Sequence, residues 1–383
     1  MSRRISLPAL LAVLSLTLSA QAAEPPVGKL TLPPGFELRV LASNVPNARQ
    51  MALSAAGTLF VGTRRAGKVY AIEQALVDGK RGDARTILSD LTMPSGLAWR
   101  DGDLYVGAVS TIYRVPGVDE QLTSAGEGDA LRSTVVSDQL PTEAHHGWKY
   151  LKFNDAGELL VPVGAPCNIC LSEDPRFAAL LTMDPTNGAT KVLASGIRNT
   201  VGFATHPETG ALWFTDNGRD MLGDDVPAEE VNVITRAGAH YGYPFIHAGT
   251  IKDPEFGKDA HPDAFIAPVL TIQAHSAALG VDFYDAGVFP QRYHQALFIA
   301  EHGSWNRSSK VGYRVSVALQ TGAGETPRYE PFIEGWLQGE ENWGRPNDVL
   351  VAPDGSLLIS DDQAGAIYQV RYREVLANTK VTP

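Results

Sequence analysis

Residues 195–234 read SGIRNTVGFATHPETGALWFTDNGRDMLGDDVPAEEVNVI, and this stretch predicts a β-hairpin. Two strand-like runs, residues 201–205 and 211–215, are separated by the turn sequence HPETG. A hairpin that turns there must bring its two open ends together. One end carries the pair Arg198-Asn199 and the other the loop DNGRD at residues 216–220. The sequence therefore predicts that a cation, an amide and an acidic, glycine-containing loop share one face.

The same pattern of two apolar segments around a turn recurs along the chain. Six copies begin near residues 51, 96, 150, 201, 281 and 348, and several are followed by a third strand-like run. Repeats of about 45 to 60 residues that each form a small antiparallel sheet are typical of β-propellers. We therefore predict an all-β fold, a single six-bladed β-propeller of four-stranded antiparallel blades within residues 24–383. An insertion at residues 247–267 is predicted to be a surface loop of the fifth repeat.

The N-terminal 23 residues are predicted to form a signal peptide. They contain Arg3-Arg4, an apolar run at residues 7–18 and small residues at positions 20–23. That run is too short to span a bilayer, and the formal net charge of −11 argues against nucleic acid and anionic membranes as partners. We expect a periplasmic or secreted protein, monomeric or homodimeric, without stable membrane insertion.

The two cysteines of the chain, Cys167 and Cys170, lie in the run PCNICL. No histidine follows Cys170, so the signature of covalent c-type haem is absent, and without a second cysteine pair tetrahedral zinc is poorly supported. In an oxidising compartment a local disulfide is favoured over a redox-active pair.

The repeat pattern also predicts which residues meet. If every glycine-containing turn lies on the bottom face, residues that precede first strands and residues that follow second strands gather on the top face. The residues before first strands are Arg49, Gln50, His145, His146, Arg198, Asn199, His275, Ser276, Arg345, Pro346 and Asn347. The residues after second strands are Arg64, Arg65 and the segments 167–170, 216–230, 301–307 and 361–362. Converging guanidinium groups suit an anionic or carbonyl-bearing ligand, and the oxygen-rich loop at residues 216–230 suits calcium, although its spacing is not that of an EF-hand.

Each of these features also has a simpler interpretation. Adjacent histidines in a loop are often merely solvated, arginines in a propeller often pair with carboxylates of neighbouring blades, and an acidic loop can be a solvated turn. The residues alone leave these interpretations open.

The chain resembles the soluble PQQ-dependent glucose/sorbosone dehydrogenase family, especially its sorbosone and aldose sugar dehydrogenase-like branch. The similarity extends over essentially the whole mature chain. Its most specific motifs are HHGWKYLKF from His145, VGAPCNIC ending at Cys170, GIRNTVGF with TDNGRDMLGDDVPAEEVNVI, AEHGSWNR from Ala300 and GRPNDVLVAPDG ending at Gly355. The resemblance implies a six-bladed propeller that holds pyrroloquinoline quinone (PQQ) and calcium on its top face.

The resemblance also implies roles for single residues near the hairpin. His145 matches the general base of the family, and His146 falls where the family often has a small or amide residue. Arg198 and Asn199 match the pair that holds the quinone carbonyl oxygens. A glutamine that contacts PQQ in glucose-oxidising relatives is replaced near Pro94.

The remaining implied roles concern calcium and the distal part of PQQ. Gly218 and Arg219 match two positions whose backbone carbonyls bind calcium. Lys310 matches a lysine that contacts PQQ, and Arg345 matches the first of two arginines that face its carboxylates. The second of those positions is Asn347 in this chain.

Three functions are compatible with this sequence. The leading hypothesis is an exported quinoprotein oxidoreductase that oxidises a sugar, aldose or polyol, with PQQ as hydride acceptor and an external electron acceptor. A calcium-dependent lactonase-like hydrolase would instead need side-chain carboxylates and amides around an axial calcium. A cofactor-free carbohydrate-binding propeller is the third possibility.

Overall fold

The computed structural model describes residues 24–77, 80–126, 128–322 and 324–374. The predicted signal peptide at residues 1–23 lies outside the described residues. Six four-stranded antiparallel sheets are arranged as the blades of a six-bladed β-propeller, which confirms the predicted fold class. In the described part of the chain, no helix combines the length and the apolar character needed to cross a membrane.

Each blade is numbered here by its position in the chain, and its strands are given from first to fourth. Blade 1 contains Ala48–Leu53, Leu59–Thr63, Val69–Ile72 and Ala84–Leu88; blade 2 contains Gly96–Arg100, Asp103–Gly107, Ile112–Val115 and Thr134–Ser137; blade 3 contains Lys152–Phe153, Leu159–Val163, Ala179–Met183 and Thr190–Ser195. Blade 4 contains Phe203–Thr205, Leu212–Asp216, Glu229–Val233 and Leu270–Ile272; blade 5 contains Ala278–Tyr284, Ala296–Glu301, Arg314–Leu319 and Arg328–Ile333; blade 6 contains Pro346–Val351, Leu357–Asp361, Ala366–Tyr372 and Phe36–Ser43.

The core lies between the blades. Successive side chains of a strand point to opposite faces of its sheet, so an inner strand covered on both faces is apolar at nearly every position. In blade 1, Leu59 and Val61 pack with Leu358 of blade 6, whereas Phe60 packs with Leu104 of blade 2. The described residues form six such apolar clusters, one at each junction between neighbouring blades.

The ring is closed by a strand from the beginning of the chain. Phe36–Ser43 pairs antiparallel with Ala366–Tyr372, from Phe36 opposite Tyr372 to Ser43 opposite Ala366, with one shift of register between Val40 and Ala42. The sixth sheet therefore combines three C-terminal strands with one N-terminal strand, which joins the two ends of the described chain.

The position of the insertion at residues 247–267 differs from the predicted one. Residues 247–267 lie between the third and fourth strands of blade 4, not in the fifth repeat, and they begin within the hairpin Ile246–His247 and Ile251–Lys252. His247 and Asp253 are buried and hydrogen-bonded at 2.9 Å, so this part of the segment is not merely a surface loop.

Several short elements complete the described structure. They are the α-helix Val118–Ser124, the 3-10 turns Val27–Lys29, Pro262–Ala264 and Gln291–Tyr293, the strand Ala239–His240, and the hairpin Leu337–Gln338 with Glu341–Asn342. The strand Ala239–His240 pairs parallel with Thr190–Ser195 and so extends blade 3 to five strands.

Candidate active site

A cavity of about 200 Å³ lies where loops of five blades converge. Its wall combines residues that begin or precede first strands with residues that follow second strands, as predicted for the top face. The charged and polar side chains that line it include Arg49, Arg64, His146, Trp148, Arg198, Asn199, Asp220, Glu229, His302 and Arg345. The predicted residues Gly218, Arg198, Asn199 and Arg345 thus meet in one cavity.

The two ends of the blade 4 hairpin are held together by Asp216. Its carboxylate accepts the backbone amide of Arg198 at 2.9 Å and that of Asn199 at 2.6 Å. Burial raises the pKa of Asp216 to about 7, although these amide hydrogen bonds act in the opposite direction. Blade 6 repeats this arrangement, because Asp361 accepts the backbone amide of Arg345 at 2.8 Å. A carboxylate at the end of a second strand therefore positions each of these two arginines.

The guanidinium of Arg198 is fixed by the loop that contains the two cysteines. Its Nε donates to the carbonyl oxygen of Asn168 at 2.9 Å and its Nη2 to Asn168 Oδ1 at 2.9 Å. A third hydrogen bond reaches the carbonyl of Asn217 at 3.1 Å. Cys167 and Cys170 form a disulfide on either side of Asn168, which confirms the predicted local pairing. The disulfide loop therefore lies against the cavity.

The two adjacent histidines occupy different places. His145 is exposed, whereas His146 is 7% exposed and lines the cavity. The Nδ1 of His146 lies 2.9 Å from the carbonyl oxygen of Ala165, so Nδ1–H donates to this oxygen and Nε2 keeps its lone pair. Burial and then the charge of Arg198 hold the pKa of His146 well below its usual value. Burial and Arg198 also lower the pKa of His145.

A glycine allows the histidine and arginine loops to approach each other. A Cβ on Gly164 would lie 2.5 Å from the Cβ of His146 and 3.3 Å from the carbonyl oxygen of Arg198. His146 itself adopts a φ of 50°, in the left-handed region that non-glycine residues rarely occupy. The position of His146 in the wall thus depends on a close backbone approach.

Of the two residues in the predicted calcium loop, Gly218 lines the cavity and Arg219 does not. Gly218 lines the cavity, and its amide donates to Glu229 Oε2 at 2.8 Å. The buried guanidinium of Arg219 pairs with Asp253 at 2.6 Å. No described residue donates a hydrogen bond to the carbonyl oxygen of Gly218 or Arg219. The described residues contain no cluster of three His, Cys, Asp or Glu side chains that could hold a metal.

Lys310 and Asn347 are not among the residues that line the cavity. The ammonium of Lys310 donates to the carbonyl of Glu340 at 2.8 Å and to Asn342 Oδ1 at 2.9 Å. Asn347 is buried, and its Nδ2 has no hydrogen-bond partner among the described residues. Arg345, by contrast, faces the cavity and donates to the carbonyls of His302 and Gly303 at 2.9 and 2.6 Å.

Comparison with known proteins assigns the chain to a family. Residues 137–369 match the model of the family described as "Glucose / Sorbosone dehydrogenase". The chain belongs to the glucose/sorbosone dehydrogenase family. An uncharacterized protein of Borreliella burgdorferi is 32% identical to this family member over 92% of the chain and 94% of its own length.

Two further similarities connect this glucose/sorbosone dehydrogenase family member to named proteins. A pyrroloquinoline quinone-dependent sugar dehydrogenase of Hypocrea jecorina is 24% identical, over 87% of each chain. The calcium structure of a Trichoderma reesei carbohydrate-active enzyme of family AA12 superposes with a TM-score of 0.75 at 19% identity, covering 92% of this chain and 100% of the other. At this identity the second similarity shows the fold alone.

Two further arginines of the cavity were predicted on the top face, but the family resemblance gave them no role. Arg49, which begins blade 1, pairs with Asp362 at 2.8 Å, and Asp362 also binds His302 at 2.9 Å. Arg64 follows the second strand of blade 1 and stacks over the ring of Trp148 at 4.5 Å. The repeat pattern places both arginines on the top face. Nothing in their local sequence shows that their side chains turn inward.

Proposed function

We propose that this family member is an exported, PQQ-dependent dehydrogenase that oxidises a sugar, aldose or polyol. The observation that supports this most directly is the cavity itself, where four arginines surround a neutral, oriented imidazole. The family assignment and the name of the Hypocrea jecorina relative support the same activity. The predicted signal peptide supports a periplasmic or secreted location, where an external acceptor would take the electrons.

The donor groups of the cavity fit PQQ. This cofactor is a quinone with several carboxylates, so it offers many hydrogen-bond acceptors and a negative charge. Arg198 and Asn199 would hold the quinone oxygens, and Arg345 would bind a carboxylate, because guanidinium matches carboxylate geometry. Buried nitrogen atoms of Arg49, Arg64 and Trp148 have no acceptor among the described residues, and these three side chains belong to the cavity wall. Lys310 and Asn347 lie outside the cavity wall, so the structure gives no support for their contact with the cofactor.

The chemistry that bound PQQ supplies is the uptake of hydride from the substrate carbon. The protein must remove the hydroxyl proton, which requires a neutral base within reach of the cavity. We propose His146 for this role, because its Nε2 is free and its ring lines the cavity. His145, the base implied by the family motif, lies next to it with ring centroids 4.1 Å apart, and it remains the alternative.

Calcium fits the carbonyl oxygens of Gly218 and Arg219, because calcium prefers oxygen ligands and accepts backbone carbonyls. The ion pair between Arg219 and Asp253 at 2.6 Å holds the side chain of Arg219 away from those oxygens. A lactonase-like calcium site built from side-chain carboxylates and amides is less compatible with an arginine-rich wall. A neutral carbohydrate bound without a cofactor would accept hydrogen bonds from the wall but would leave the charges of its arginines without a counterion.

A reconstitution assay tests the proposed function. The purified mature protein is incubated with PQQ and calcium, and reduction of an artificial dye is followed with a panel of sugars and polyols. We expect dye reduction that requires both the cofactor and a substrate, with the protein lacking PQQ as the control. Absence of dye reduction together with hydrolysis of lactones without PQQ would instead support the hydrolase.

A further inference from the structure

Arg64 is the one arginine of the cavity that has no hydrogen-bond acceptor among the described residues. Arg49 pairs with Asp362, Arg198 binds Asn168 and Asp220, and Arg345 binds two carbonyl oxygens. The Nε of Arg64 is buried and unpaired. Burial, followed by the charges of Arg49 and Arg65, lowers the pKa of Arg64 to about 10, so the group still carries its charge at neutral pH. A charge held this way is costly without an anion.

The surroundings of Arg64 fix its orientation, and the carboxylate of Asp362 favours its charge without forming an ion pair with it. Its guanidinium carbon lies 4.5 Å from the ring centroid of Trp148, in a cation–π contact. The indole Nε1 of Trp148 and the Nε of Arg49 are also buried without an acceptor. The carboxylate of Asp362 is shared between Arg49 and His302, at 2.8 and 2.9 Å. Arg49, Arg64 and Trp148, the side chains that carry these three unpaired donors, all belong to the cavity wall.

We infer that Arg64, together with Arg49 and Trp148, forms a carboxylate-binding subsite on the blade 1 side of the cavity. This inference rests on the proposed function, which identifies the ligand as PQQ and the bound group as one of its carboxylates. The subsite would supply the positive charge that the family motif places at the position of Asn347. A carboxylate here would accept charge-assisted hydrogen bonds from the guanidinium groups and one from the indole.

The first experiment measures PQQ affinity of the calcium-loaded apoprotein by calorimetric titration. Arg64→Ala should raise the dissociation constant of PQQ roughly ten- to hundredfold, which is the range expected for the loss of a charged hydrogen-bond donor. Arg65→Ala is the matched control, because Arg65 is the exposed neighbouring arginine, and its affinity should stay within about twofold of wild type. Arg64→Lys should be intermediate, because it keeps the charge but loses the planar fork. Equal affinity of Arg64→Ala and wild type would overturn the subsite while leaving the proposed function intact.

The second experiment separates the subsite from the cofactor. Benzene-1,3,5-tricarboxylate, which offers carboxylates but no quinone, is added to each apoprotein and the melting temperature is measured. We expect a rise for wild type and Arg65→Ala and little or no rise for Arg64→Ala. If this pattern appears but wild type fails to bind PQQ, the subsite stands and the cofactor assignment is wrong. If wild type binds neither compound, both proposals are wrong.

Folding of the variant provides an internal check. Removing Arg64 loses its cation–π contact with Trp148, which is a weak interaction, so the melting temperature of the apoprotein should fall only slightly. A large drop would show that Arg64 has a further structural partner, and this outcome would count against the subsite.

Discussion

Asn168 binds Arg198 through both of its oxygens, with the carbonyl oxygen 2.9 Å from Nε and Oδ1 2.9 Å from Nη2. The same Oδ1 accepts the amide of Asp220 at 2.8 Å, and Nδ2 donates to the carbonyl of Asp220 at 3.1 Å. One amide side chain thus joins the disulfide loop, the cavity arginine and the loop after the second strand of blade 4. Asn168 is a positioning residue for Arg198.

Replacing Asn168 with Ala should weaken cofactor binding without unfolding the protein. The change removes one of two side-chain acceptors of Arg198 and leaves the ion pair with Asp220 at 3.2 Å and the bonds to backbone carbonyls, so the guanidinium is held less firmly. We expect roughly a tenfold loss of PQQ affinity and a modest loss of stability, about 1 to 3 kcal/mol. Titration of the apoprotein and a denaturation curve measure the two effects. Asn187→Ala, at an exposed turn, is the control, and an equal loss of affinity there would disprove the positioning role.

The two histidines can be separated by single substitutions. His146→Ala should reduce kcat by about two to four orders of magnitude, the usual contribution of a general base, while PQQ remains bound. His145→Ala should have a much smaller effect, because this side chain is exposed. The readouts are steady-state kinetics and the dissociation constant of PQQ for both variants. The reverse order of effects would return the role of base to His145, as the family motif implies.

The activity should tolerate mild acid. Burial and Arg198 lower the pKa of His146 well below 6.5, so its neutral form, which accepts the proton, persists below that pH. Protonation of the ring removes the base, so kcat/KM should fall as the pH drops through the lowered pKa of the folded protein. A profile of kcat/KM against pH measures the midpoint of this acid limb. A midpoint at or above 6.5 would contradict assignment of the base to His146.

Calcium should stabilise the folded protein. A ligand that binds only the folded state at a concentration of about 100 times its dissociation constant adds roughly 2.7 kcal/mol. Addition of a chelator should therefore lower the melting temperature and abolish reconstituted activity, and calcium should restore both better than magnesium, which requires stricter geometry. A chelator without effect on either quantity would show that no calcium is held.

The variant Gly218→Ala tests whether the calcium-dependent rise in melting temperature depends on the predicted calcium loop. A Cβ on Gly218 would lie 2.8 Å from Cγ of Pro227, so Gly218→Ala must shift the backbone that carries the predicted carbonyl ligands. We expect Gly218→Ala to lose most of the calcium-dependent rise in melting temperature. Gly28→Ala is the control, because a Cβ there has no neighbour within 4 Å. Full retention of the calcium effect in Gly218→Ala would place the ion elsewhere.

The fold could be predicted from the sequence because its signals are local. Each blade begins with a hairpin of two apolar strands joined by a turn. In blade 4, the ends of the hairpin that carry Arg198 and Gly218 must then meet. The insertion at residues 247–267 was assigned to the wrong blade, because its length hides the fourth strand of blade 4, Leu270–Ile272.

The orientation of individual side chains could not be predicted in the same way. Which of the adjacent histidines enters the cavity depends on the carbonyl of Ala165 and on the close approach at Gly164, both in a different loop. Lys310 turns towards Glu340 and Asn342, two residues contributed by a short hairpin between blades 5 and 6. These contacts join segments that are distant in the sequence, so the local pattern of apolar and polar residues could not predict them.

The strand Phe36–Ser43 finds its partner only in Ala366–Tyr372. The first of the described strands to be synthesised therefore cannot pair until the last of them, Ala366–Tyr372, has been synthesised. Until then blade 6 lacks its outer edge strand. Pairing of these two strands closes a loop that includes all the other blades, and this closure costs conformational entropy. We expect ring closure to be a late and slow step of folding, because contacts between distant parts of a chain form slowly. A ribosome-bound chain that stops before residue 366 would hold five blades in an open arc, with the apolar face of blade 1 exposed to chaperones.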